Sequence, residues 1–148
     1  MSSLEQHGPT LRSSRILSAN PQAVFAAFED PEQLAKWWGP DGFTNTFETF
    51  EFIPGGRWTF VMHDPDGTNY PNDSYFREIV PNSRIVIEHV VQPWFRLTVT
   101  ITPHEGGTHL QFDQEFESPE VATAMRNLCS KANEQVLNRL QAVSSGCA

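Results

Sequence analysis

The chain has 148 residues, of which 39% are apolar and 19% charged, and its net charge is −8. Such a length suits one domain, and folding removes roughly 70% of the surface an unfolded chain exposes, enough for a core without disulfide staples. The composition is too apolar for disorder, and no apolar run approaches the roughly 20 residues of a membrane-spanning helix. With 18 acidic against 10 basic side chains, the surface repels phosphate backbones, so no nucleic-acid partner is expected. Met1-Ser2-Ser3-Leu4-Glu5-Gln6-His7 has neither the basic nor the apolar stretch of a secretory signal. The expected location is the cytoplasm, without membrane insertion. Cys129 and Cys147 make no disulfide framework and are expected as reduced thiols.

In chain order, Leu11 to Leu17 predicts a first strand. Asn20-Pro21 then predicts a helix start, because Asn caps and Pro at the first helical position lacks only a donor that is orphaned there anyway. Val24, Phe25 and Phe28 share one face of that helix. Asp30-Pro31 repeats the device, with Gln33 three residues after the cap, and opens a second short helix carrying Leu34, Trp37 and Trp38. Gly39-Pro40 stops it.

From Phe43 to Phe116 the apolar period changes to two. Strands are predicted over residues 43–52, 57–63, 73–80, 84–91, 95–102 and 110–116, separated by turns such as Pro54-Gly55-Gly56, Asp64-Pro65-Asp66-Gly67 and Glu105-Gly106-Gly107. In the strand at 73–80 the inward face is ambiguous, and one of Arg77 or Glu78 is expected to point inside. Ser118-Pro119-Glu120 opens a last helix, whose expected stripe is Val121, Met125, Leu128, Ala132, Val136, Leu140 and Val143. About 25 residues at 1.5 Å each make it roughly 37 Å long. These elements predict an α+β domain over residues 1–148, with its core at about 10–143. About seven antiparallel strands curl around the long helix, two short helices follow the first strand, and an imperfect fit leaves a cavity.

Leu34-Ala35-Lys36-Trp37-Trp38-Gly39-Pro40, Pro54-Gly55-Gly56-Arg57-Trp58, Asp66-Gly67-Thr68 with Tyr70-Pro71-Asn72, and Glu78-Ile79-Val80-Pro81 with Arg84-Ile85-Val86 occur in this order. Together they resemble the motifs of the bacterial relatives of the activator of heat-shock-protein-90 ATPase, over about residues 12–143. The resemblance implies the helix-grip fold of the START-related, birch-pollen-allergen-like SRPBCC superfamily. That superfamily includes lipid and steroid carriers, polyketide cyclases and co-chaperone domains, so fold alone does not fix function. The eukaryotic activator has a chaperone-docking domain ahead of a domain of this type, whereas about 10 residues precede the first strand here.

The leading expectation is a binding or carrier protein for a small apolar molecule held between sheet and helix. Candidate ligand-binding residues are the aromatic and sulfur-bearing set Trp37, Trp38, Trp58, Phe60, Met62, Phe95, Phe112 and Met125, with Leu97 and Cys129. Gln114 shares parity with Leu110, Phe112 and Phe116, and His89 with Ile85 and Ile87, so both are expected inside. No catalytic residue is assigned. There is no GxSxG, P-loop or GxGxxG motif, no CxxC and no helical pair of histidines, so neither a cofactor nor a metal is expected. Two alternatives stand beside the carrier. One is a cyclase or isomerase using a single acid–base group on a bound substrate; the other is a co-chaperone-like module with an unspecified protein partner.

Overall fold

The chain crosses from one edge of a sheet to the other before the sheet is built, and two proline-started helices make the crossing. The computed structural model describes residues 10–92 and 94–145, so the readings at Met1–His7 and Cys147 lie outside the described residues. Strand β1 (Thr10–Leu17) is followed by α1 (Pro21–Glu29) and α2 (Pro31–Trp37). Both helices start as their sequences dictate. Asn20 Oδ1 accepts from the Ala23 amide at 2.8 Å, and Asp30 Oδ1 from that of Glu32 at 3.0 Å. Gln33 Nε2 reaches back to Asp30 Oδ2 at 3.3 Å. Each cap satisfies a donor that the first helical turn leaves orphaned.

Strands β2 (Thr44–Phe50), β3 (Arg57–His63), β4 (Asn69–Val80), β5 (Arg84–His89), β6 (Phe95–His104) and β7 (Gly107–Phe116) then meander, and α3 (Pro119–Ser144) ends the described chain. All seven strands form one antiparallel sheet in the order β1-β7-β6-β5-β4-β3-β2. The architecture is α+β, with the curled sheet and long helix of the helix-grip fold. Bulges at Glu48 and Arg77 break the register, Phe47 and Thr49 pairing with Phe60 and Thr59, Phe76 and Glu78 with Ile87 and Val86. An extra residue bends its strand and sharpens the local twist, which helps the sheet curl.

The bulge at Arg77 also corrects a sequence expectation. The alternation that places Ser74 and Phe76 inside resumes one residue out of phase, and neither Arg77 nor Glu78 enters the interior. Both lie on the outer face, Arg77 Nε 2.7 Å from Glu88 and Glu78 3.0 Å from Arg84.

The core is aromatic where α1 and α2 meet β3 and β4. Trp37 is wholly buried and donates its indole N–H to the Ala27 carbonyl at 2.9 Å. Trp58 stacks against Phe60 and Phe76, with centroids 4.4 and 5.7 Å apart. Helix α3 packs on β1, α1, α2 and β7. Arg15 on β1 ties it down, bonding Glu134 at 2.6 Å and Asn138 at 2.7 Å. No helix among the described residues is long and apolar enough to cross a membrane.

The stripe on α3 differs from the expected one. Ala122, Val136, Leu137 and Leu140 are buried, whereas Leu128 is 67% exposed. At roughly 100° per residue, Ala122, Cys129 and Asn133 fall within about 30° of the mean direction of Val136, Leu137 and Leu140, and Leu128 points about 125° away. Steps of three and four keep residues adjacent without holding them on one line. Leu137→Ala therefore costs about 2–5 kcal/mol, the range for emptying a packed leucine site. Leu128→Ala stays within about 0.5 kcal/mol of wild type, as exposed substitutions do. Urea midpoints of the two variants check the assignment, and equal shifts would refute it.

Candidate functional site

Helix α3 does not fill the concave sheet along its whole length. Toward its C-terminal end Val136, Leu137 and Leu140 reach the core, but near its middle the inward positions are Cys129, Ala132 and Asn133. Small side chains there leave a cavity of about 230 Å³. Its sheet wall comes from Phe60 and Met62 on β3, Asn72 and Ser74 on β4, Ile87 and His89 on β5, Phe95 and Leu97 on β6, and Phe112 and Gln114 on β7. The opposite wall is Cys129, Ala132, Asn133 and Val136 of α3, and Trp38-Gly39-Pro40 closes one side.

Nine of the twelve candidate residues named from sequence line this space: Trp38, Phe60, Met62, His89, Phe95, Leu97, Phe112, Gln114 and Cys129. Trp37, Trp58 and Met125 do not. Trp37 and Trp58 lie behind the wall as core; Trp58 meets Trp38 edge-on at 4.9 Å, and its indole N–H has no hydrogen-bond partner among the described residues. Met125 packs with Leu11, Phe116 and Ala122 in a second, smaller cluster. Sequence reasoning missed Gly39, Pro40, Asn72, Ser74, Ile87, Ala132, Asn133 and Val136 as lining residues. Counting back by twos from Phe76 reaches Ser74 and Asn72, but the sequence reading starts that strand at Asp73.

The polar groups of the wall form two stations. On β4 and β5, Asn72 Nδ2 donates to the Tyr70 carbonyl at 2.8 Å, which fixes Asn72 Oδ1 as an acceptor. His89 Nε2 lies 2.6 Å from that oxygen and is therefore the donor. The imidazole stacks on Phe95, with centroids 4.5 Å apart and planes 14° from parallel. On β7 and α3, Asn133 Nδ2 donates to Gln114 Oε1 at 3.3 Å. Burial pushes the Cys129 thiol above its ordinary pKa, so at neutral pH it is a protonated, soft apolar wall group rather than a thiolate.

Charged pairs stand on the other side of the sheet. Arg57 holds the Asp73 carboxyl below its usual range, with contacts of 3.1 and 2.8 Å. Trp94 and Arg77, each 2.7 Å away, do the same for Glu88. His104 sits beside Glu105 at 3.5 Å on the exposed β6–β7 turn. Among the described residues no group of three or more His, Cys, Asp or Glu side chains converges as a metal site requires.

The Trp38-Gly39-Pro40 side is pinned by one residue. Arg139 on α3 donates Nη1 to the carbonyls of Gly39 and Pro40 at 2.7 and 2.8 Å, and Nη2 to those of Lys36 and Phe43. The guanidinium thus caps the C-terminal end of α2, where carbonyls lack helical partners and the dipole favours a cation. Its pKa lies below the usual arginine value because burial outweighs attraction from Asp41. Gly39 has φ +98°, a backbone conformation that strains any residue with a Cβ, and a Cβ there would also displace Met62 Cε, 2.8 Å away.

Comparison with known proteins agrees with the architecture. A family model described as Activator of Hsp90 ATPase homolog 1-like protein matches residues 18–145. A solution structure of a protein from Arthrobacter aurescens superposes with a TM-score of 0.85 at 28% identity, covering 93% of this chain and 87% of that one. A crystal structure from Chromobacterium violaceum gives 0.82 at 29% identity, over 90% and 96% of the two chains. One from Nitrosomonas europaea gives 0.84 at 20% identity, over 93% and 94%, a likeness of fold alone. No curated protein matches the sequence.

Replacing Arg139 tests the capping geometry. Arg139→Met strips the donors from four carbonyls while keeping most of the apolar stem, and the loss expected is about 1–3 kcal/mol, the cost of leaving buried acceptors unpaired. Arg139→Lys recovers part of it, because an ammonium supplies three donors without the planar fork. Thermal or urea unfolding of the three proteins reads the order wild type, Lys, Met. Equal stability of wild type and Met would show that the guanidinium holds nothing.

Proposed function

The chain belongs to the Activator of Hsp90 ATPase homolog 1-like family, and on that footing we propose that it binds a small, largely apolar molecule between the sheet and α3. The observation that carries the reading is the cavity of about 230 Å³ itself, walled by Trp38, Phe60, Met62, Leu97, Phe112 and Val136 among others. Ligand sites are concave and mostly apolar, with a few polar groups that set orientation. A wall of aromatic rings locked by their neighbours offers such a site without prior rearrangement. Burying about 200 Å² of ligand surface at roughly 25 cal/mol per Å² contributes about 5 kcal/mol. Much of that offsets the lost freedom of the ligand, so polar contacts decide whether binding is tight.

Trp38 is the natural reporter, because it lines the cavity and is half-buried. N-phenyl-1-naphthylamine, an uncharged fluorescent probe, should bind with a one-site isotherm, quench or shift Trp38, and show a negative heat-capacity change. Ala132→Trp and Phe112→Trp should block the probe while the protein stays folded, because the added volume enters empty space. In a solid interior the same changes would cost about 1–3 kcal/mol by overpacking. A wild type that binds no probe, together with strongly destabilised Trp variants, would overturn the reading.

A further inference from the structure

We propose that the cavity selects an uncharged ring compound bearing a hydroxyl or carbonyl at each of two ends, and refuses carboxylates. The inference rests on the reading of the cavity as a ligand site and adds the chemistry of what enters. Its first ground is an asymmetry of charge. The protein carries 18 acidic and 10 basic side chains, yet among the described residues none of them lines the cavity. Arg139, behind the Gly39-Pro40 turn, has its guanidinium engaged by four backbone carbonyls. An anionic head group entering here would lose its hydration with no lysine or arginine among the described lining residues to receive it, which costs more than the cavity's apolar contacts return.

The second ground is unused hydrogen-bonding capacity facing the space. Ser74 is only 2% exposed and lines the cavity, and its hydroxyl has no hydrogen bond among the described residues. Its β-ladder neighbour His89 is held by Asn72, so the two flank Ser74 with an oriented, flat surface. Three strands along the sheet, Gln114 is 9% exposed and engages Asn133 of the opposite wall through one atom each. That leaves the second atom of each amide, one donor and one acceptor, without a protein partner among the described residues. Reversing both amides leaves the same pair available, so this station accepts a hydroxyl or a carbonyl equally. A hydroxyl on β4 and an amide pair bridging β7 and α3, both lining one cavity, point to a ligand polar at both ends.

Four probes of one ring system separate the possibilities by calorimetry: naphthalene, 2-naphthol, 2,6-dihydroxynaphthalene and 2-naphthoate. The expected order of affinity is diol, then naphthol, then naphthalene, about tenfold per added hydroxyl at most, with naphthoate weaker than naphthalene. In Ser74→Ala and in Gln114→Met the ratio of diol to naphthalene affinity should fall several-fold toward one. Naphthoate binding as tightly as the diol overturns the selection, and so does a diol that binds no better than naphthalene. In both cases the cavity still binds a ring, so the ligand-site reading stands while this inference falls. If none of the four binds, both fall together.

Discussion

The whole molecule turns on a mismatch of widths. Seven strands at roughly 4.8 Å spacing span about 29 Å, whereas a helix with its side chains is about 10–12 Å across. One helix cannot cover such a sheet if it stays flat. The sheet curls, with bulges at Glu48 and Arg77 bending it where β2 and β4 pair with their neighbours. Helices α1 and α2 fill part of the remaining width with Val24, Phe25, Phe28, Leu34 and Trp37. What lies between that aromatic block and α3 is filled only as far as the side chains of α3 reach.

Side-chain size along one helix therefore places the cavity. Val136, Leu137 and Leu140 close the C-terminal end, and Cys129, Ala132 and Asn133 leave the middle open. Arg139 lies on the same helix and fixes the third side of the space through the carbonyls after α2. The helix thus sets the depth of the cavity with some residues and holds its side wall with another. A shift of α3 along its axis would alter both together.

Much of this was legible in the sequence, because the decisive signals are local. Asn20-Pro21, Asp30-Pro31 and Ser118-Pro119 each mark a helix start, and every one of them caps as read. Strict alternation in β6 and β7 placed Leu97, Phe112 and Gln114 inside. The failures came where a period slips. A single bulge at Arg77 flips the face of every later residue in its strand, and no composition signal marks it. On α3 a stepwise chain of apolar residues drifted off the true face and took in Leu128. Arg139 was invisible for another reason: its four acceptors are backbone carbonyls, which carry no sequence signature.

The polar groups of the cavity set folding against binding. Ser74 and Gln114 face the interior, where apolar side chains would add to the core, so a sequence under selection for stability alone would favour apolar residues there. β-branched or aliphatic side chains suit both strand positions by shape. The protein instead keeps hydrogen-bonding groups at two places in the cavity wall and surrounds them with rings already locked in place, Phe95 under His89 and Trp58 behind Trp38 and Phe60. A rigid apolar frame gives the polar groups fixed positions, and on the proposed reading a ligand polar at both ends would meet them both. On the proposed reading, the same frame leaves discrimination to two hydrogen-bonding stations rather than to charge. Among the described residues the ionic pairs lie on the outer face or, as Arg15–Glu134 does, at the exposed edge between β1 and α3, where water screens them, and the cavity keeps the low polarity in which a single hydrogen bond matters.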